Sequence, residues 1–139
     1  MNSIAREKLV AELEHLLRHK PAMGTLFLVT RETNHMLIVT QENGVISLAY
    51  PYAGRLDIFR ARRFTSFCKT RGLSVRTALW WKTKVSSALI GPVATDAAQT
   101  IAECFAQVYR VSGPFGLNMQ GMGWQASGQD IRPEPDAGS

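Results

Sequence analysis

Residues 25–50 read TLFLVTRETNHMLIVTQENGVISLAY, and the fold is decided by how this stretch breaks into runs. Thr25-Leu26-Phe27-Leu28-Val29-Thr30 is rich in apolar, aromatic and β-branched residues, and Glu32-Thr33-Asn34 interrupts it with a polar turn. Met36-Leu37-Ile38-Val39 supplies a second run, and Val45-Ile46-Ser47-Leu48-Ala49-Tyr50 a third. Between the second and third stands Asn43-Gly44. Asn-Gly suits a type I′ hairpin turn because both central residues there need positive φ. Two short connections in succession favour antiparallel neighbours, so strands over 24–31, 35–41 and 44–50 are predicted to form a meander. The near-continuous apolar character of the first two predicts cover on both faces of the sheet.

On either side of the meander the hydrophobic period lengthens from two to about 3.6. In residues 3–20, Leu9, Leu13, Leu16 and Leu17 make one stripe with Val10, while Glu7, Lys8, Glu12, Glu14 and Arg18 take the other side. Ser3 is the expected N-cap, and Pro21 ends the helix. A second helix is predicted over 56–71, with Phe64, Phe67 and Cys68 facing inward together with Phe59. Strand-like runs follow at 75–83 and 85–91, then a third helix over 96–111. That helix carries Ile101, Cys104, Phe105, Val108 and Val111, and Asp96 with Gln99 reads as a capping-box-like start. The order α-βββ-α-ββ-α predicts an α+β fold, a single antiparallel-rich sheet packed against helices.

Composition agrees with one domain over 1–125 and a disordered tail over 126–139, where Gln, Ser, Gly, Pro and Asp dominate. No apolar run approaches the roughly 18–20 residues a membrane-spanning helix needs, and the charged N-terminus lacks a secretory h-region. Cys68 and Cys104 read as reduced, buried thiols, which points to the cytoplasm. His15 and His19 are one helical turn apart but lack a third ligand, so they read as solvated polar-face residues, with no metal. No phosphate loop, catalytic triad or acid–base pair stands out, so neither an enzyme nor a cofactor is expected.

The positive charge is local. Residues 55–84 hold nine cations against Asp57 alone, a net +8, while the other seven basic and ten acidic residues give −3, together the +5 of the chain. Arg60, Arg62 and Arg63 populate the outer side of the second helix in this reading. Trp80 and Trp81 fall on adjacent strand positions, so one is predicted in the core and the other beside Lys82 and Lys84. Further on, Met119, Met122 and Trp124 alternate with glycines in a segment open to three arrangements: an edge strand, a cover over the domain, or an arm onto a second subunit. These ten residues are the candidate partner-binding set. The favoured partner is a protein or peptide with acidic, amphipathic character; the alternative is nucleic acid or another anionic partner on 55–84.

The N-terminal helix, the meander from Gly24 to Tyr50, the closing helix IAECFAQVYRV (101–111) and its exit GPFGL (113–117) together resemble the chaperone-like α+β fold. That fold is shared by type III secretion class I chaperones of the Tir-chaperone type and bacterial YbjN-like domains. The resemblance covers roughly residues 3–120 and rests on topology, not on a fingerprint motif. It implies a non-catalytic module that binds an extended segment of a partner protein, such as a secreted effector or toxin, along an apolar surface, often as a homodimer. The chain departs from that pattern in its pI of about 9.6, since such chaperones are typically acidic. Its basic helix also lies where they often build their dimer contact, which favours a one-domain adaptor on the same scaffold.

Overall fold

The computed structural model describes residues 1–19, 24–52, 57–80 and 83–122. Its helices are α1 (Ser3–His19), α2 (Ile58–Thr70) and α3 (Ala94–Val108). Its strands are β1 (Thr25–Thr30), β2 (Met36–Glu42), β3 (Val45–Pro51), β4 (Arg76–Trp80), β5 (Thr83–Gly91) and β6 (Leu117–Met122). They form one sheet in the order β4-β5-β3-β2-β1-β6, antiparallel at every pairing. The α+β order predicted from periodicity is present, with six strands instead of five. Of the arrangements open to the Gly/Met-rich segment, the edge strand is the one adopted: β6 pairs along the whole of β1. The expected tail over 126–139 lies outside the described residues.

The meander turns where the sequence says it should. Asn43 and Gly44 have φ of 53° and 81°, the pair of positive values a type I′ turn needs. Helix ends were less legible. Asn2, not Ser3, caps α1, its Oδ1 accepting the Ala5 N–H at 2.8 Å. Glu12, which the periodicity puts on the polar side, is buried. At α3 the cap is Val93, with no side-chain hydrogen bond, and the helix starts earlier than Asp96 because Ala94, Ala97 and Ala98 are strong helix formers. Gln99 bonds Glu103 one turn along instead of the helix start. α3 also stops at Val108, short of 111, where Arg110 takes a φ of 57°.

All three helices lie on one face of the sheet, with α3 packed against both α1 and α2. Strand alternation turns Leu26, Leu28, Leu37, Val39, Ile46, Leu48 and Tyr50 toward them, and cross-strand pairs keep these residues in rows. Opposite stand Leu9, Leu13 and Leu16 of α1, Phe64 and Phe67 of α2, and Ile101 and Phe105 of α3. Each fully buried leucine here contributes about 1.5–3 kcal/mol. Because β5 sits between β3 and β4, α2 carries the chain past that place to the β4 edge, and β5 returns inward. α3 then crosses the sheet to reach β6 at the opposite edge. Among the described residues no helix is long and apolar enough to cross a membrane.

Candidate functional site

The first turn of α2 is fixed to the end of β3 by a buried hydrogen bond. The Tyr50 hydroxyl donates to Asp57 Oδ2, and neither residue is more than slightly exposed. Tyr50 stacks on Phe64 and lies 5.7 Å from the Tyr109 ring. Tyr109 in turn donates from its hydroxyl to the Met36 carbonyl at 2.6 Å and stacks on His35 at 4.4 Å. Burial, reinforced by the bond to Asp57, raises the Tyr50 phenol far above its usual range. Tyr109 is raised as well, chiefly by burial. His35 is lowered, first by desolvation and then by the nearby Arg60 cation. Burial also pushes the Cys68 thiol up to about 11 and raises Cys104, so neither offers a thiolate near neutrality. Both cysteines are free, and among the described residues no group of three or more His, Cys, Asp or Glu side chains is placed to hold a metal.

The structure spreads the basic segment more than the sequence suggests. Arg60 lies over the Tyr109 ring, 5.2 Å from its centroid, and Arg63 Nε donates to the Val108 carbonyl at 2.9 Å, closing the end of α3. Arg71 pairs with Glu103, and Arg76 with Glu42 at 2.7 Å. Lys84 is exposed, its Nζ 5.2 Å from the Tyr52 ring centroid. Arg62 and Lys69 are exposed and have no hydrogen-bond or ion-pair partner among the described residues. Arg55, Trp81, Lys82 and Trp124 lie outside the described residues, as do the side chains of Trp80 and Met122. Met119 faces the helix side and packs against the core, so it is not a free contact residue.

What periodicity missed is Phe59. It was expected inward with Phe64, yet five residues separate them, a rotation of about 140° on a helix of 3.6 residues per turn. The buried stripe of α2 runs instead through Ala61, Phe64, Phe67 and Cys68. Phe59 is 68% exposed and its neighbour Ile58 46%. Along the same outer side follow Arg62, Ser66 and Lys69, spaced three or four residues apart and all exposed. α2 contains no acidic residue, so this ridge is an apolar head with a purely basic continuation. The signal was present in the sequence: Phe59 sits three and four residues before Arg62 and Arg63.

The helix-free face of the sheet is the other apolar surface. Register places Phe27, Val29, Met36, Ile38, Ala49, Val85 and Leu89 there. Ile38 and Val85 are only 5% and 8% exposed, but Met36 is 36% and Leu89 43% exposed, and no described helix supplies the cover on this second face that the sequence predicts. Phe59 is nonetheless more exposed than any described large apolar residue of that face.

The chain matches no family model, no curated protein and no solved structure.

Proposed function

We propose that this chain is a non-catalytic protein-binding module, adaptor- or chaperone-like and cytoplasmic, which engages a segment of a partner protein through the outer ridge of α2. The observation that carries this reading is Phe59, a large aromatic held 68% exposed on a well-formed helix. Exposed aromatics that are neither core nor cap are the residues from which interface anchors are drawn. The resemblance to the chaperone-like α+β fold supports the same class of function.

Nucleic acid is the weaker alternative. Of the cations in 55–84 that are described, five have partners within the fold, and Arg62 and Lys69 have none among the described residues. Contacts from Arg62 and Lys69 alone would give a log–log salt slope of only about −2, whereas strong non-specific binding draws on roughly 6–10 phosphates. A symmetric homodimer through this ridge is also disfavoured, because a twofold axis would set the same cations against each other.

The test is a photo-crosslinking amino acid at position 59, used in extract of the native host with and without nuclease. A discrete protein adduct that survives nuclease is the expected result. Adducts only to nucleic acid, or none, would overturn the proposal.

A further inference from the structure

We propose that the partner segment is an acidic amphipathic α-helix that lies along α2, with an apolar side chain on Ile58 and Phe59 and carboxylates on Arg62 and Lys69. This inference rests on the binding-module reading and adds the chemistry of the partner.

Charge is the first argument. Arg62 and Lys69 are exposed and unpaired among the described residues, and α2 supplies no acid to neutralise them. Carboxylates brought to both would complete the ridge, and opposite charge would also speed encounter. The second argument is backbone chemistry. The ridge is the convex side of a helix and offers no row of free N–H and C=O groups. An extended segment laid there would gain no main-chain hydrogen bonds, whereas a helix satisfies its own. The third is room. α2 packs on α3 and β5 and leaves its outer side unpartnered among the described elements. Ser66, small and exposed, lies between Arg62 and Lys69, so a second helix can approach closely there.

The spacing specifies the partner pattern. At 1.5 Å per residue, Arg62 lies about 5 Å and Lys69 about 15 Å along the axis from the Ile58–Phe59 head. A partner helix running alongside therefore needs a large apolar residue with acids roughly three and ten positions away on the same face. An anionic membrane would also attract an apolar wedge beside cations. Lipid-binding basic clusters, however, usually hold about four to eight Lys or Arg residues, and among the described residues this ridge offers two unpaired cations.

The probe is a synthetic peptide of roughly four helical turns with Phe and Leu on one face and Glu at those spacings. It is titrated into the full chain and followed by backbone amide shifts. Parallel titrations use the same peptide with Lys for Glu, a single-stranded oligonucleotide, and phosphatidylglycerol vesicles. Expected is saturable binding of the acidic peptide with shifts mapping to α2, weakened about tenfold by Phe59→Ser. In the double variant Arg62→Glu and Lys69→Glu, preference should reverse to the Lys peptide. Melting temperature on each preparation excludes unfolding as the cause. Three results would overturn the proposal: no binding of the acidic peptide, an unchanged preference in the reversed variant, or tighter binding of vesicles or oligonucleotide. A protein crosslink at position 59 combined with failure of the acidic peptide would refute the acidic helix while leaving the binding module standing.

Discussion

Removing the hydroxyl of Tyr50 tests the joint that positions α2. Tyr50→Phe keeps the ring, and with it the stacking on Phe64 and the contact with Tyr109, so packing is nearly unchanged. What disappears is the phenolic donor to Asp57, at a site where both groups are within a tenth of full burial. A hydrogen bond to a charged acceptor contributes about 1.5–3 kcal/mol, and depriving a buried acceptor of one donor costs a similar amount. Asp57 has a further interaction besides Tyr50, so the lower end of the range applies, about 1–2 kcal/mol. For a chain of this size that corresponds to a melting temperature lowered by roughly 3–8 °C. Thermal and urea denaturation followed by circular dichroism would measure it, with an unchanged m-value marking a change in stability alone. The control is Asp57→Ala in the Tyr50→Phe background. Because the donor is already gone, the two losses should be markedly less than additive. Equal melting temperatures for Tyr50→Phe and the parent, or full additivity in the cycle, would refute the assignment of this bond as a stabilising joint.

Phe64→Ala should cost about 3–5 kcal/mol because its ring is fully buried, whereas Phe59→Ser should cost less than about 1 kcal/mol; equal losses in urea titrations would contradict the orientation of α2. Arg63→Gln should destabilise by roughly 1 kcal/mol through loss of the bond to the Val108 carbonyl, while Arg62→Gln should leave the melting temperature unchanged. His35 has a folded-state pKa below its ordinary 6.5, so the unfolded chain takes up its proton first as pH falls. The stability this group contributes is present above about pH 6.5 and is lost on acidification through the lowered value. His35→Gln should flatten that part of the pH–stability profile, and an unaltered slope between pH 7 and 5 would rule it out.

The meander was legible because each of its signals is local: short apolar runs, a polar break and Asn43-Gly44 all act within a few residues. The segment that becomes β6 was not assigned to one structure, because Gly121 and Gly123 weaken any propensity argument and the strand exists only by pairing with β1. The start of α3 is not legible from the capping-box-like pattern at Asp96, because the helix already includes Ala94 and Thr95 and is capped by Val93 without a side-chain bond. The candidate site was legible only in part. The density of cations in 55–84 is plain in the sequence, but their partners are not. Glu103 is 32 residues from Arg71 and Glu42 is 34 from Arg76, separations over which sequence gives no pairing rule. Phe59 was misplaced by its chemistry: a phenylalanine near other phenylalanines reads as core unless its angle on the helix is counted.

The strand order also sets a timetable for synthesis. β1 leaves the ribosome long before β6, the strand that covers its outer edge; Arg31 and Asn118, hydrogen-bonded across that seam, are 87 residues apart. At about 5–20 residues per second, the nascent chain carries an unpaired Leu26-Phe27-Leu28-Val29 edge for roughly 4–17 s before its cover exists. Exposed edges of this composition recruit other strands. Final closure must also join the two ends of the described chain, where the Asn2 N–H donates to the Phe115 carbonyl at 2.8 Å. The sheet can therefore be completed only after nearly all of the described residues have emerged, and loss of β6 would turn a transient vulnerability of the nascent chain into a permanent one.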